Sequence, residues 1–361
     1  MLKIQRPEIK RVYSFDFIRI LATFMVIMIH TSGIFVSSPD SSVFDFTVGN
    51  FFDSISQIAV PLFLMLSGAL MLDEEKEITL RKSLKYALNI FVLLCLWSVF
   101  YAVTFNFLIP LLQGQAISLN LPKFITDCLM GHYHMWYLYL IIGLYLVTPL
   151  LRLFVKKSNK NLLLYIIALS LIFRFLPPFI DIISGNLFSI QIFEDYANKF
   201  KMGCLSVYLI YYILGWFVAN IEISKKHRIF TYIAGIIGFS FTFGLTELFI
   251  KKDPKVYNSL YAANSITIFC AALATFVFFF YLFRGKTFGR ASGFITYISK
   301  LTFGVYIIHE LFRTVLEAYL MPRIPNALVY ILVCSTITAV ISFGVAFIMS
   351  KIPLIKKLIK C

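Results

Sequence analysis

Ten apolar stretches long enough to cross a bilayer dominate this 361-residue chain, at about 15–36, 49–71, 86–112, 135–153, 161–178, 203–221, 229–250, 258–283, 297–320 and 327–350. A helix rising about 1.5 Å per residue needs roughly 20 apolar residues to span a hydrocarbon core of about 30 Å. Lipid offers no partner to an unpaired backbone amide or carbonyl, so such stretches fold as α-helices. The expected fold class is therefore all-α: a polytopic membrane protein with about ten transmembrane helices in a single bundle. Residues are 60% hydrophobic and only 14% charged, which excludes an ordinary soluble core. No repeat or appended soluble domain is visible. The expected organisation is a basic leader over 1–14, one transmembrane domain over 15–351 and a short basic tail over 352–361.

The net charge of +15 does not point to nucleic acid, because the cations are dispersed through short segments between apolar spans instead of forming one tract. Alternate connecting segments are strongly unequal. With the amino terminus inside, inner segments carry 23 Lys and Arg and outer segments carry 7. That asymmetry places both termini in the cytosol of a multi-pass cell-membrane protein. The six cysteines show no metal-ligand spacing, so no metal site is expected. Cys128 and Cys204, at or near the outer face, pair only if the loop before the fourth span folds over the sixth.

Ionisable side chains are rare within spans, and those present mark candidate sites. Arg19 and His30 lie eleven residues apart in the first span, about three helical turns, so they share a face some 16 Å apart along the axis. Arginine suits phosphate through its permanent charge and bidentate geometry, whereas histidine suits proton transfer. Arg19 also has the simpler reading of a residue snorkelling to headgroups, and Asp16 that of a helix-start cap or an ion pair with Arg19. In the ninth span His309 is followed by Glu310, Arg313 and Glu317. Their spacing allows the charges to pair on one face, either as an ionic stitch between helices or in support of a site. Arg174 either snorkels outward or binds an anionic acceptor. His134, Trp136, Tyr137 and Tyr139 fit both an interfacial aromatic belt and a sugar-stacking surface. Ser67-Gly68 permits close helix approach, and Pro61 predicts a kink. The long outer loops 113–134 and 179–202 read either as a lid or acceptor cleft or as plain connections.

Several of these pieces fall in a familiar order. Ser14-Phe-Asp16-Phe-Ile-Arg19 through His30, Val60-Pro61-Leu-Phe63-Leu-Met-Leu-Ser67-Gly68, His134-Met-Trp136-Tyr137-Leu-Tyr139, Thr148-Pro149-Leu-Leu-Arg152, Tyr211-Tyr212-Ile-Leu214-Gly215 and Thr302-Phe303-Gly304-Val-Tyr306-Ile-Ile-His309 together resemble the integral-membrane acyltransferase 3 family. The spacing is most similar to its surface-polysaccharide O-acetyltransferase branch, including enzymes acting on enterobacterial common antigen. The resemblance implies acetyl transfer from cytosolic acetyl-CoA to a hydroxyl of a cell-surface or lipid-linked glycan in a bacterial plasma membrane. His30 would be the catalytic imidazole. Arg19, with Arg81, Lys82 and Lys85 of the inner loop, would hold the donor, although Lys82-Ser-Leu-Lys85 stands where many relatives carry an Arg-x-x-Arg pair. His134, Trp136 and Arg174 would contact the acceptor, supported by Asp16, Ser67, His309, Glu310 and Arg313. The lipid bilayer is an implied partner, and a homodimer remains open. A transporter of a small solute such as serine is the alternative reading.

Overall fold

The computed structural model describes residues 11–38, 41–112, 114, 120–156, 159–184, 206–249, 259–353 and 355–359. Every regular element among them is helical. Among the described residues nine helices are long and apolar enough to cross a membrane, and a shorter apolar helix, Val207–Asn220, occupies the remaining expected segment. The protein is thus a polytopic helical membrane bundle. Its main helices are α1 Tyr13–Ser37, α2 Val43–Ser56, α3 Ala59–Met71, α4 Leu80–Val103, α5 Leu121–Met130, α6 Trp136–Phe154, α7 Lys160–Ser170, which continues through a π-helical turn to Ile183, α8 Val207–Asn220, α9 Lys225–Phe249, α10 Ile266–Phe283, α11 Ala291–Leu320 and α12 Ala327–Lys351.

Helix α1 occupies the centre, packed against α2, α3, α10, α11 and α12. Ile18, Ala22 and Ile27 are completely buried there. Its hydroxyls are reconciled with an apolar setting by donating to the preceding turn, Thr23 to the Arg19 carbonyl at 2.8 Å and Ser32 to that of Met28 at 2.7 Å. The kink expected at Pro61 appears as the break between α2 and α3 around Gln57–Ile58. Proline lacks the amide that would bond the Gln57 carbonyl, and its ring crowds that oxygen.

Gly68 of α3 and Gly215 of α8 make a reciprocal close approach. A Cβ on Gly68 would stand 2.9 Å from Tyr212 Cα, and one on Gly215 would stand 2.5 Å from Met65 Cα, with the facing carbonyls closer still. Small residues at such crossings let dispersion act between backbones where lipid supplies no hydrophobic drive. Gly68→Ala or Gly215→Ala is expected to cost about 1–3 kcal/mol by overpacking, seen as a lower Tm in detergent. Native melting behaviour in both variants would remove this crossing from the account of stability.

The lysine-rich end of the bundle is tied by backbone-directed arginine contacts. Arg152 donates to the carbonyls of Met71 and Asp73, both at 2.8 Å, and to that of Lys76 at 2.5 Å, fixing the turn between α3 and α4. Arg284 donates to Glu222, and that bond holds the Glu222 carboxyl below its usual range. Within the expected basic tail, Ile355–Ile359 form a 3-10 turn that packs onto the bundle. Ile359 is buried against Gly304, and Trp97 Nε1 donates to the Leu358 carbonyl at 3.0 Å. Cys128 carries a free thiol; Cys204 and most of the 179–202 loop lie outside the described residues.

Candidate functional site

Three segments converge on His30. Helix α1 carries it, and α11, packed along α1, brings the His309 ring to 5.4 Å between centroids. The third segment is the turn after α5. Gly131 stops that helix at φ +72°, a conformation L side chains rarely adopt, and a Cβ there would also meet Ser98 Oγ at 2.7 Å. The turn folds His132, Tyr133 and His134 over the site. Tyr133 Oη lies 3.3 Å from His30 Nδ1, and the His134 ring is 5.4 Å from His309. Within the expected outer loop 113–134, residues 132–134 thus lie against His30 and His309. Four of the chain's five histidines form one cluster, and the fifth, His227, bonds Ser224 at the lysine-rich end.

Backbone carbonyls fix two of the tautomers, because a carbonyl only accepts. His309 Nδ1–H donates to the Tyr306 carbonyl at 2.6 Å, which leaves Nε2 as an acceptor. That Nε2 is buried and has no hydrogen-bond partner among the described residues. His134 Nε2–H donates to the Ile307 carbonyl at 3.2 Å, so His134 Nδ1 accepts from His132 Nδ1–H at 2.9 Å.

Glu310 adds a buried carboxylate. Ligating atoms of His30, His309 and Glu310 all lie within 4.8 Å of one another. Arg313 donates to both Glu310 oxygens, from Nε at 2.8 Å and Nη2 at 2.6 Å, and also to Glu317. The interhelical stitch is thus corrected: these pairs run along α11 alone, since residues three and four apart on one helix already face each other. The residue types would suit a divalent metal, but the guanidinium on both carboxylate oxygens opposes a second cation there. A proton-handling cluster matches the geometry better.

A cavity of about 880 Å³ runs from the lysine-rich end toward these histidines. Arg19, Lys300, Lys351 and Lys356 line it with Ser67 and Ser299, and Phe63, Tyr137 and Tyr306 lie on its wall further along the helices. Arg19 Nη1 donates to Ser299 Oγ at 3.1 Å. It stands 3.9 Å from Asp16, whose carboxylate is held more tightly by Arg11 through two 2.7 Å bonds. The expected pair of Asp16 with Arg19 is present but secondary.

Other expected site residues fall elsewhere. Arg81, Lys82 and Lys85 are exposed at the start of α4 and do not line the cavity. Lys82 donates to the Glu77 carbonyl at 2.7 Å. Trp136 is exposed and packs on Tyr208, with ring centroids 5.9 Å apart. Arg174 lies in the π-helical turn Leu171–Phe175, and no hydrogen bond or ion pair among the described residues joins it to the histidines. Tyr133 belongs to the outer segment that the sequence offers as a lid or acceptor cleft, and the turn at Gly131 brings its hydroxyl to His30. The sequence does not single out Lys300, Lys351 and Lys356, which folding brings to the same cavity wall as Arg19.

A family model described as an acyltransferase domain matches residues 12–347. The chain belongs to the acyltransferase 3 family. No curated protein and no solved structure gives a significant match. This member of the family is a multi-pass membrane acyltransferase. In the acyltransferase, the arginine and histidine of the α1 motif fall in different places, Arg19 on the cavity wall and His30 within the histidine cluster next to Tyr306. The arrangement can hold an anionic donor at one end and manage a proton at the other.

Proposed function

We propose that the protein is an O-acetyltransferase, moving an acetyl group from cytosolic acetyl-CoA to a hydroxyl of a cell-surface or lipid-linked glycan at the outer face of a bacterial plasma membrane. The observation that carries this reading is a cavity ringed by Arg19, Lys300, Lys351 and Lys356 whose far wall, at Tyr306, is one helical turn from His309. The cations suit the phosphates of the donor. His309 and Glu310 lie beside His30, with one nitrogen or oxygen of each of the three within 4.8 Å of the others, and Nδ1 of His30 is placed to accept from a hydroxyl where Tyr133 Oη now stands. The acceptor O–H bond breaks toward that nitrogen as its oxygen attacks the thioester carbonyl. The C–S bond then breaks, and CoA thiolate leaves with the proton from the imidazolium. Membership of the acyltransferase family favours this over solute transport.

The test is incorporation of acetyl label from acetyl-CoA into envelope material by membrane vesicles from cells with and without the gene. Equal incorporation in both would sink the reading. The donor site makes a further prediction. Lys351→Ala with Lys356→Ala should raise KM for acetyl-CoA about 5- to 30-fold with kcat little changed, since solvent-facing charge contacts are worth at most about 1 kcal/mol each and remote binding contributes equally to ground and transition states. Lys82→Ala with Lys85→Ala should change KM less. The reverse order would move the phosphates to the start of α4.

A further inference from the structure

The cavity's walls do not include His30 or His309. Between them and the cations stand three rings. Tyr137 has its centroid 6.0 Å from Phe63 and 5.8 Å from Tyr306. Tyr306 is pinned at both ends, its hydroxyl donating to the His134 carbonyl at 2.6 Å and its own carbonyl accepting from His309. The His134 and His309 rings lie 5.9 and 6.2 Å beyond it. Centroid separations near 6 Å are those of aromatic rings in contact, so Phe63, Tyr137 and Tyr306 make a continuous row of rings on the side of the cavity that faces the histidines. Phe63 is half-buried, near the start of the helix that the Pro61 break begins, and its side chain makes no hydrogen bond, so it is the ring best able to swing.

We propose that Phe63, Tyr137 and Tyr306 form a collar that sets acyl-chain length, admitting short acyl-CoA thioesters to His30 and rejecting long ones. This rests on the acyl-CoA reading above. For the thioester carbonyl to reach His30, the acyl tail beyond it must lodge between the collar and the lid of His132, Tyr133 and His134. Those three rings contact one another at 4.7 to 6.0 Å. Methylenes forced into such packing displace side chains fixed by hydrogen bonds, and overpacking is costly. A methyl is the tail that fits with least displacement.

The experiment compares acyl-labelled acetyl-, butyryl- and octanoyl-CoA as donors in everted membrane vesicles from expressing cells, whose own envelope material supplies the acceptor. One methylene in a tight pocket is worth about 10- to 200-fold, so native kcat/KM should fall at least 10-fold from acetyl to butyryl, with octanoyl transfer lower still. Phe63→Ala and Tyr137→Leu should each raise the octanoyl-to-acetyl ratio at least 10-fold. That gain is not one a destabilised protein produces. Should either variant fail to fold, Phe63→Trp supplies the opposite arm, lowering the butyryl-to-acetyl ratio. Native transfer of octanoyl within threefold of acetyl would overturn the collar, as would unchanged ratios in folded variants that still transfer acetyl. Transfer from no donor at all would overturn the acyl-CoA reading, and the collar with it.

Discussion

Replacing His30 with alanine or glutamine is expected to abolish acyl transfer while leaving a folded, membrane-inserted protein. General-base catalysis typically contributes about 10²- to 10⁴-fold, and turnover should fall by at least that much. The structure gives a reason why folding should survive. His30 is only partly enclosed, and its contact with Tyr133 at 3.3 Å is long for a hydrogen bond. Alanine there also makes α1 more apolar. The opposite balance holds at His309, which is fully buried and donates to the Tyr306 carbonyl. His309→Ala should therefore lose stability and activity together. The check is a Tm and a turnover rate on the same purified samples. A His30→Ala protein that melts like the native one and acetylates within a few-fold of its rate would place the chemistry elsewhere.

The helices were legible in the sequence because a long apolar run is a local property that lipid converts into helix without further information. Their ends were less so. The second span reads as starting near 49, yet α2 begins at Val43, where Ser42 caps it by accepting from the Asp45 amide at 3.1 Å. Polar residues inside α2 hid that start. Asn50 donates to Glu247 at 2.7 Å and accepts from Tyr261, so its polarity is matched across the bundle by partners some 200 residues away. The site divides in the same way. Arg19 and His30 were readable because one helix carries both, with the motif giving their order. The grouping of His30 with His132, His134 and His309 depends on a glycine turn and a helix crossing that no spacing encodes. A run such as Arg81, Lys82 and Lys85 stands out in sequence but does not line the cavity, whereas Lys300, Lys351 and Lys356 come to its wall only when α11, α12 and the terminal turn meet.

Arg313 should prove the least replaceable residue for folding, and its partner decides whether the charge pair also serves catalysis. Glu310 is 1% exposed, and Arg313 holds both its oxygens. Arg313→Met leaves a buried carboxylate without its guanidinium. Breaking such a pair from one side typically costs about 3–5 kcal/mol, whereas removing both charges is often nearly neutral. Glu310→Gln added to Arg313→Met should therefore recover most of the lost Tm. Activity should not follow. A glutamine amide cannot supply the negative charge that stabilises an imidazolium at His30, and in a comparable triad the isosteric amide for the orienting carboxylate costs about 10⁴-fold. We expect the double variant to fold and to transfer acetyl at least 100-fold more slowly than the native protein. Recovery of Tm and transfer together would reduce Glu310 to a rung of the helix. Recovery of Tm alone assigns it to the same proton path as His30 and His309, because a purely structural carboxylate has no way to separate the two readouts.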